Sequence, residues 1–164
     1  MLSVGSKVMH PVHGLGTVES INEEEILGKK HTFACISFQD DRLRIKVNVD
    51  QKGSMIRPLI DKEEIDKILA YLKTDSVALP TRSSERYNFN LKKVKSCDIY
   101  QLAEVIRDLS AYAASNHRLP PKELQMLKQA KQSMAMEFSY ITGKDAEIIE
   151  EELDNIFHTE TIEN

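Results

Sequence analysis

Val4-Gly5-Ser6-Lys7-Val8-Met9-His10-Pro11-Val12-His13-Gly14-Leu15-Gly16-Thr17-Val18-Glu19-Ser20-Ile21 holds two short β-prone runs, Lys7 to His10 and Thr17 to Ile21, around a turn with one proline and two glycines. Pro11 has a fixed φ and no N–H, so it belongs at a strand end. Gly14 and Gly16 permit φ > 0. Val8, Leu15, Val18 and Ile21 offer one small apolar face. The stretch predicts the opening of a small, sharply bent antiparallel β-barrel of the Tudor or SH3 kind, with Pro11, Gly14 and Gly16 as architectural residues.

Downstream, Asn22 to Lys30 is polar and contains Gly28, which reads as a loop. His31 to Phe38 is a third strand candidate, and Gln39-Asp40-Asp41-Arg42 a turn. The clearest strand follows: Leu43, Ile45, Val47 and Val49 alternate with Arg44, Lys46, Asn48 and Asp50. Period-two alternation puts one face in a core and the other in water. Arg44 and Lys46 then stand together on the outer face, either as a solvated pair or as a docking edge for acidic groups. Gly53 to Pro58 closes the barrel, with Met55 and Ile56 returning to its core.

From Asp61 the apolar period changes to that of a helix. Ile65, Ile68, Leu69 and Leu72 form a stripe behind Asp61 as N-cap and Glu64 at the capping-box position. The domain boundary falls near Leu59, with residues 60–83 as a connecting helix and linker. Residues 84–158 read as an all-helical domain, and 159–164 as a frayed tail. Within it, Ser84 caps a helix carrying Tyr87, Leu91 and Val94, and Asp98 caps one carrying Ile99, Leu102, Ile106 and Leu109. Leu119-Pro120-Pro121-Lys122-Glu123 starts a helix striped by Leu127, Ala130, Met134, Phe138 and Ile141, which Gly143 stops. Ile149, Leu153, Ile156 and Phe157 mark a last helix with an acidic outer face. The fold class is therefore α+β.

The net charge of −4 is unevenly spread. Residues 74–143 carry ten Lys/Arg against seven Asp/Glu, whereas residues 144–164 carry one Lys against eight Asp/Glu. Cys35 and Cys97 are far apart and form no CxxC, which argues against a zinc site or a secreted disulfide scaffold. No apolar run approaches the ~20 residues of a membrane span, and the N-terminus lacks the regions of a signal peptide. A soluble cytoplasmic chain is expected. His10 and His13 lack a third ligand at metal spacing, Ser83-Ser84 sits in a linker, and no phosphate-binding glycine loop precedes a helix. No enzyme chemistry, metal or cofactor is expected.

The opening run resembles that of the CarD/CdnL family of bacterial transcription regulators, whose pattern is roughly V-G-D-x-V-x-Y-P-x-H-G-x-G-x-[IV]. Val4, Gly5, Val8, Pro11, His13, Gly14, Gly16 and Val18 match it, while Ser6 replaces Asp and His10 replaces Tyr. The run from Arg86-Tyr87 to Arg107-Asp108-Leu109 resembles the family's R-Y-x-x-N-L-x-K-L-x-x-G-D-[IV]-x-x-[VL]-A-E-V-[VI]-R-D-L, with Cys97 where Gly is usual. Glu123 to Gln132 is similar to its E-x-x-M-L-x-x-A-[RK]-Q helix. The resemblance implies a non-catalytic monomer whose barrel binds the lobe of the RNA polymerase β subunit. It also implies a helical domain held at promoter DNA near the upstream edge of the −10 element. There a tryptophan of the family wedges into the minor groove.

The resemblance assigns polymerase docking to Ile26, Arg44 and Lys46, with Glu24 where an arginine is common. For DNA phosphates the candidates are Arg82, Arg86, Lys92, Lys93 and Lys95, which could equally be solvated helix charges. Ser83 occupies the wedge position, and the chain has no Trp. Tyr87 and Phe89 read as core residues, with base contact as the alternative. A second reading makes the protein a polymerase-bound adaptor whose helical domain recruits a protein instead of DNA.

Overall fold

The computed structural model describes residues 2–38, 42–51, 55–115 and 117–162. The chain divides into two units, Met1–Leu59 and Ile60–Asn164. The first is an antiparallel sheet and the second is helical, so the architecture is α+β.

In the first unit, β1 (Lys7–His10), β2 (Gly14–Ile26), β3 (Lys29–Phe38), β4 (Leu43–Asn48) and β5 (Arg57–Pro58) line up in the order β4-β3-β2-β1-β5. β1 ends at His10, one residue before Pro11. Gly14 has φ 74°, but Gly16 does not adopt a positive φ. Its requirement is space: a Cβ there would lie 2.6 Å from Ile36 and 2.7 Å from Phe38. The core is Val8, Val18, Ala34, Ile36, Phe38 and Ile56, with Ile21, Ile45, Val47 and Val49 packed against it. Pairing steps from Val18↔Ile36 to Ser20↔Cys35, so Glu19 is the extra residue of a bulge that bends β2.

The polar stretch 22–30 is not a loop. β2 and β3 continue as a ribbon to Ile26↔Lys29, and Leu27-Gly28 forms its two-residue turn with φ 52° and 79°. Two positive φ values are those of a type I′ hairpin, whose twist matches the strands it joins. The ribbon runs past the core, so neither of its faces needs apolar residues and the sequence shows no alternation. Met55 is 44% exposed and does not return to the core, whereas Ile56 does. The expected turn at residues 39–41 and the expected role of Gly53 lie outside the described residues.

The second unit comprises α1 (Lys62–Leu72), α2 (Ser83–Lys95), α3 (Ile99–Ala114), α4 (Pro121–Thr142) and α5 (Ala146–Ile162). α1 is not merely a connector. Ile65, Ile68 and Leu72 belong to the same core as Ile106, Leu109, Met134 and Leu153. Burial of three such side chains, at about 1.5–3 kcal/mol each, holds α1 within the unit. Asp61 makes no side-chain cap bond. Glu64 instead accepts from the Tyr100 hydroxyl on α3 at 2.8 Å, so the expected capping box gives way to a tertiary contact.

α2 begins at Ser83 with Arg82 as N-cap, two residues earlier than a Ser84 cap requires. Asp98 caps α3 as its sequence suggests, accepting from Tyr100 N at 2.9 Å and Gln101 N at 3.0 Å. Gly143 closes α4 at φ 79°. α5 buries Ile149 and Leu153 and stays helical to Ile162, past the point where fraying was expected.

Candidate functional site

Pairing fixes the outer face of the sheet. Ala34, Ile36 and Phe38 point inward, so His31, Phe33, Cys35 and Ser37 point outward with their cross-strand neighbours. Those neighbours are Glu24 opposite His31, Asn22 opposite Phe33, Lys46 opposite Cys35 and Arg44 opposite Ser37. Ile26 shares the parity of Asn22 and Glu24 and is 44% exposed near the hairpin tip. The three candidate docking residues, Ile26, Arg44 and Lys46, therefore stand on one face of the β2–β3–β4 ribbon.

Arg44 and Lys46 each have a carboxylate beside them. Arg44 Nε lies 3.0 Å from Glu19, the bulge residue, and Lys46 is bonded to Glu24. Lys46 Nζ also sits 4.6 Å from the centre of the Phe33 ring. Both ion pairs are substantially solvated, and such pairs contribute about 0–1 kcal/mol. A partner carboxylate can displace them at little cost. Sequence alternation located Arg44 and Lys46. It missed Glu19, because a bulge leaves no mark in the pattern, and Phe33, because its strand carries apolar residues on both faces.

In the helical unit the five candidate cations separate by environment. Arg86 is not a surface cation: it is 2% exposed. Its Nε donates to Glu123 Oε1 at 2.6 Å and its Nη2 to Glu123 Oε2 at 2.8 Å. Nη1 reaches Pro80 O at 3.2 Å, Thr81 O at 3.1 Å and the Tyr112 hydroxyl at 3.1 Å. The guanidinium thus ties the segment before α2 to α3 and α4. A fork of five donors suits this junction, which is why the helix-charge reading of Arg86 fails.

Lys93 is mostly covered, 2.9 Å from Glu104 and 4.5 Å from the Phe89 ring centre. Burial would raise the Glu104 carboxyl, but hydrogen bonds from Tyr71 and Lys93 and the charges of Lys93 and Arg107 hold it below the usual carboxylate range. Arg82 lies 3.8 Å from Glu85 in a solvated pair. Lys92 and Lys95 are exposed and have no ion-pair partner among the described residues. Ser83, also exposed, is the first residue of α2.

The two aromatic residues of α2 diverge. Tyr87 packs against the core, but Phe89 does not and is 40% exposed. The buried side of α2 is taken by Arg86 and Asn90, with Tyr87, Leu91 and Val94 beside them, which turns Phe89 outward. The buried Asn90 amide has no hydrogen-bond partner among the described residues.

The His10 and His13 ring centres lie 4.9 Å apart with the planes tilted by 32°, and no group of three His, Cys, Asp or Glu suited to a metal occurs among the described residues. Cys35 and Cys97 are both half-buried and are not joined in a disulfide. No helix among the described residues is long and apolar enough to cross a membrane.

Two family models match the chain. Residues 2–60 match the CarD-like/TRCF RID domain, and residues 67–154 match the CarD C-terminal domain. Among characterised sequences, the Bacillus subtilis (strain 168) protein named "Putative transcription factor YdeB" is 29% identical over 147 residues. That alignment covers 87% of this chain and 94% of the relative.

Proposed function

The chain belongs to the CarD family of transcription factors, whose members interact with RNA polymerase, and from that premise we propose how its two units divide the work. The sheet unit docks on the lobe of the polymerase β subunit through Ile26, Arg44 and Lys46. The helical unit works at promoter DNA near the upstream edge of the −10 element, and the protein acts without catalysis.

One observation carries the docking reading. Ile26, Arg44 and Lys46 lie on a single outer face, where two cations held by weak pairs flank a ring and an exposed aliphatic side chain. Complementary charge of this kind governs encounter and orientation more than raw affinity.

The test is binding of the full chain to a purified β-lobe fragment, followed by binding to polymerase–promoter complexes with and without upstream DNA. Lys46→Glu is expected to weaken lobe binding by tenfold or more while leaving the circular-dichroism melt unchanged. Unaltered affinity would remove Lys46 from the interface.

The adaptor reading draws support from the exposed Ser83, from Glu85 beside Arg82, and from the loss of Arg86 to the interior. It wins if the lobe binds and DNA adds nothing.

A further inference from the structure

Arg107, Asp108 and Ser110 of α3 are polar and buried, and neither proposed interface uses them. Arg107 Nε donates to Asp108 Oδ1 at 2.9 Å and its Nη1 to Thr74 Oγ1 at 3.0 Å. Asp108 Oδ1 also accepts from the backbone N–H of Val77 at 3.2 Å. Two atoms are left over. Asp108 Oδ2 and Ser110 Oγ have no hydrogen-bond partner among the described residues, although Ser110 is only 8% exposed. Buried side-chain polar atoms are mostly paired, so an orphan hydroxyl points to a partner still to come.

That hydroxyl belongs to the wall of a cavity. Arg107 and Ser110 line a space of about 260 Å³ within the helical unit. Thr74, Asp75 and Ser76, from the exposed segment joining α1 to α2, form its polar rim, and Ala111, Ala114 and Phe157 its apolar walls. We propose that this cavity binds a small neutral nucleoside, guanosine in preference to adenosine.

Size, charge and donor chemistry each narrow the occupant. The volume lies just under the range of about 300–1,000 Å³ that holds drug-sized ligands, so one heterocycle and a sugar suit it. The charge of Arg107 is already matched by Asp108, the other charged lining residue is the acidic Asp75, and no lysine lines the cavity among the described residues. A phosphate is therefore disfavoured and a neutral, donor-bearing molecule favoured. Arg107 has guanidinium donors beyond its two bonds to Asp108 and Thr74, and arginine donors match the O6 and N7 acceptors of guanine. Ser110, which can donate or accept, gains its missing partner from the same base edge. Asp75 at the rim is an acceptor for sugar hydroxyls. Ala111 and Ala114, three residues apart on one helix face, leave a wall without bulky side chains, and Phe157 adds apolar surface for the face of a base.

The experiment titrates the full chain with guanosine, adenosine and guanosine monophosphate and follows backbone amide shifts by NMR. Guanosine should bind saturably with a Kd below about 1 mM, with shifts confined to Thr74–Ser76, Ser110–Ser115 and the neighbourhood of Phe157. Adenosine and the monophosphate should bind at least about tenfold more weakly. Ser110→Ala should keep its thermal stability, because the hydroxyl removed has no partner, yet lose about fivefold or more in guanosine affinity. Ala114→Leu places bulk in the cavity from an exposed helix position and should abolish binding with the fold intact. Absence of saturable guanosine shifts would overturn the proposal, as would full affinity in Ala114→Leu, which would put the ligand elsewhere. Equal or tighter binding of the monophosphate would overturn the neutral class, and equal or tighter binding of adenosine would remove the assigned role of Arg107.

Discussion

Arg86 and Glu123 meet edge to edge, two nitrogens on two carboxylate oxygens at 2.6 and 2.8 Å, with both side chains almost wholly out of solvent. A bidentate pair of this kind is strong only while both partners are present. Removing one leaves a charge in the interior, which costs about 3–5 kcal/mol. Arg86→Ala is therefore expected to lower stability by that amount in urea denaturation followed by circular dichroism. The Arg86→Met/Glu123→Met double variant should recover a large part of the loss, because neither charge is then stranded. A surface phosphate contact would instead give a stable Arg86→Ala protein with weaker DNA binding.

Cys97 occupies the position just beyond α2 with φ 59°, in the left-handed region that glycine adopts without strain and where the resemblance pattern has glycine. An L-residue there costs about 1–2 kcal/mol. Substituting glycine also frees the unfolded chain, which returns about 0.4–1 kcal/mol to the unfolded side. Cys97→Gly should therefore stabilise the protein by roughly 0.5–1 kcal/mol. Cys97→Ala should not, since alanine keeps the Cβ. An unchanged or lowered denaturation midpoint for the glycine variant would show that contacts of the thiol outweigh the backbone strain.

Residues whose role follows from periodicity were legible from sequence. The alternation of 43–50 placed Arg44 and Lys46 outward, and the stripes of α3 and α4 marked Ile106, Leu109, Met134 and Phe138 as core. Arg86 was misread because a buried arginine looks like any helix cation until its carboxylate, 37 positions away, is brought to it. Phe89 was misread for the converse reason. An aromatic residue suggests burial, but α2 fills its inner face with Arg86 and Asn90 and has no room for the ring. The ribbon at 22–30 was hidden because strands that extend beyond a core lose the alternation by which strands are recognised.

Glu24 neutralises Lys46 on the proposed docking face. Glu24→Arg removes that carboxylate, frees Lys46 and adds a second cation at a position where the resemblance expects one. Binding to the β-lobe fragment should tighten by about tenfold and become steeper in salt, as expected for an acidic partner surface. Weaker binding would mean that the cognate lobe offers a cation to Glu24, so that the two surfaces have exchanged charges. The ion pair being replaced is solvated, so the melting temperature should hardly move.

His10 gives the sheet unit a pH dependence whose sign follows from its hydrogen bonds. Its Nδ1 accepts from the backbone N–H of Val12 at 3.1 Å and of His13 at 3.2 Å, which only the neutral ring can do. Burial, and the charge of the neighbouring His13, push its pKa below the ordinary 6.5. The unfolded chain therefore takes up a proton near pH 6.5 that the folded one refuses. The stability contributed by this turn is complete above that pH, and it is lost as pH falls from there through the lower folded-state value. Glu104, also depressed, loses its contribution in a more acidic range, so the two steps separate. Chemical denaturation at pH 7.5, 6.5 and 5.5 should show stability declining for wild type and a flatter profile for His10→Tyr. Parallel profiles for the two proteins would show that His10 does not titrate in this window.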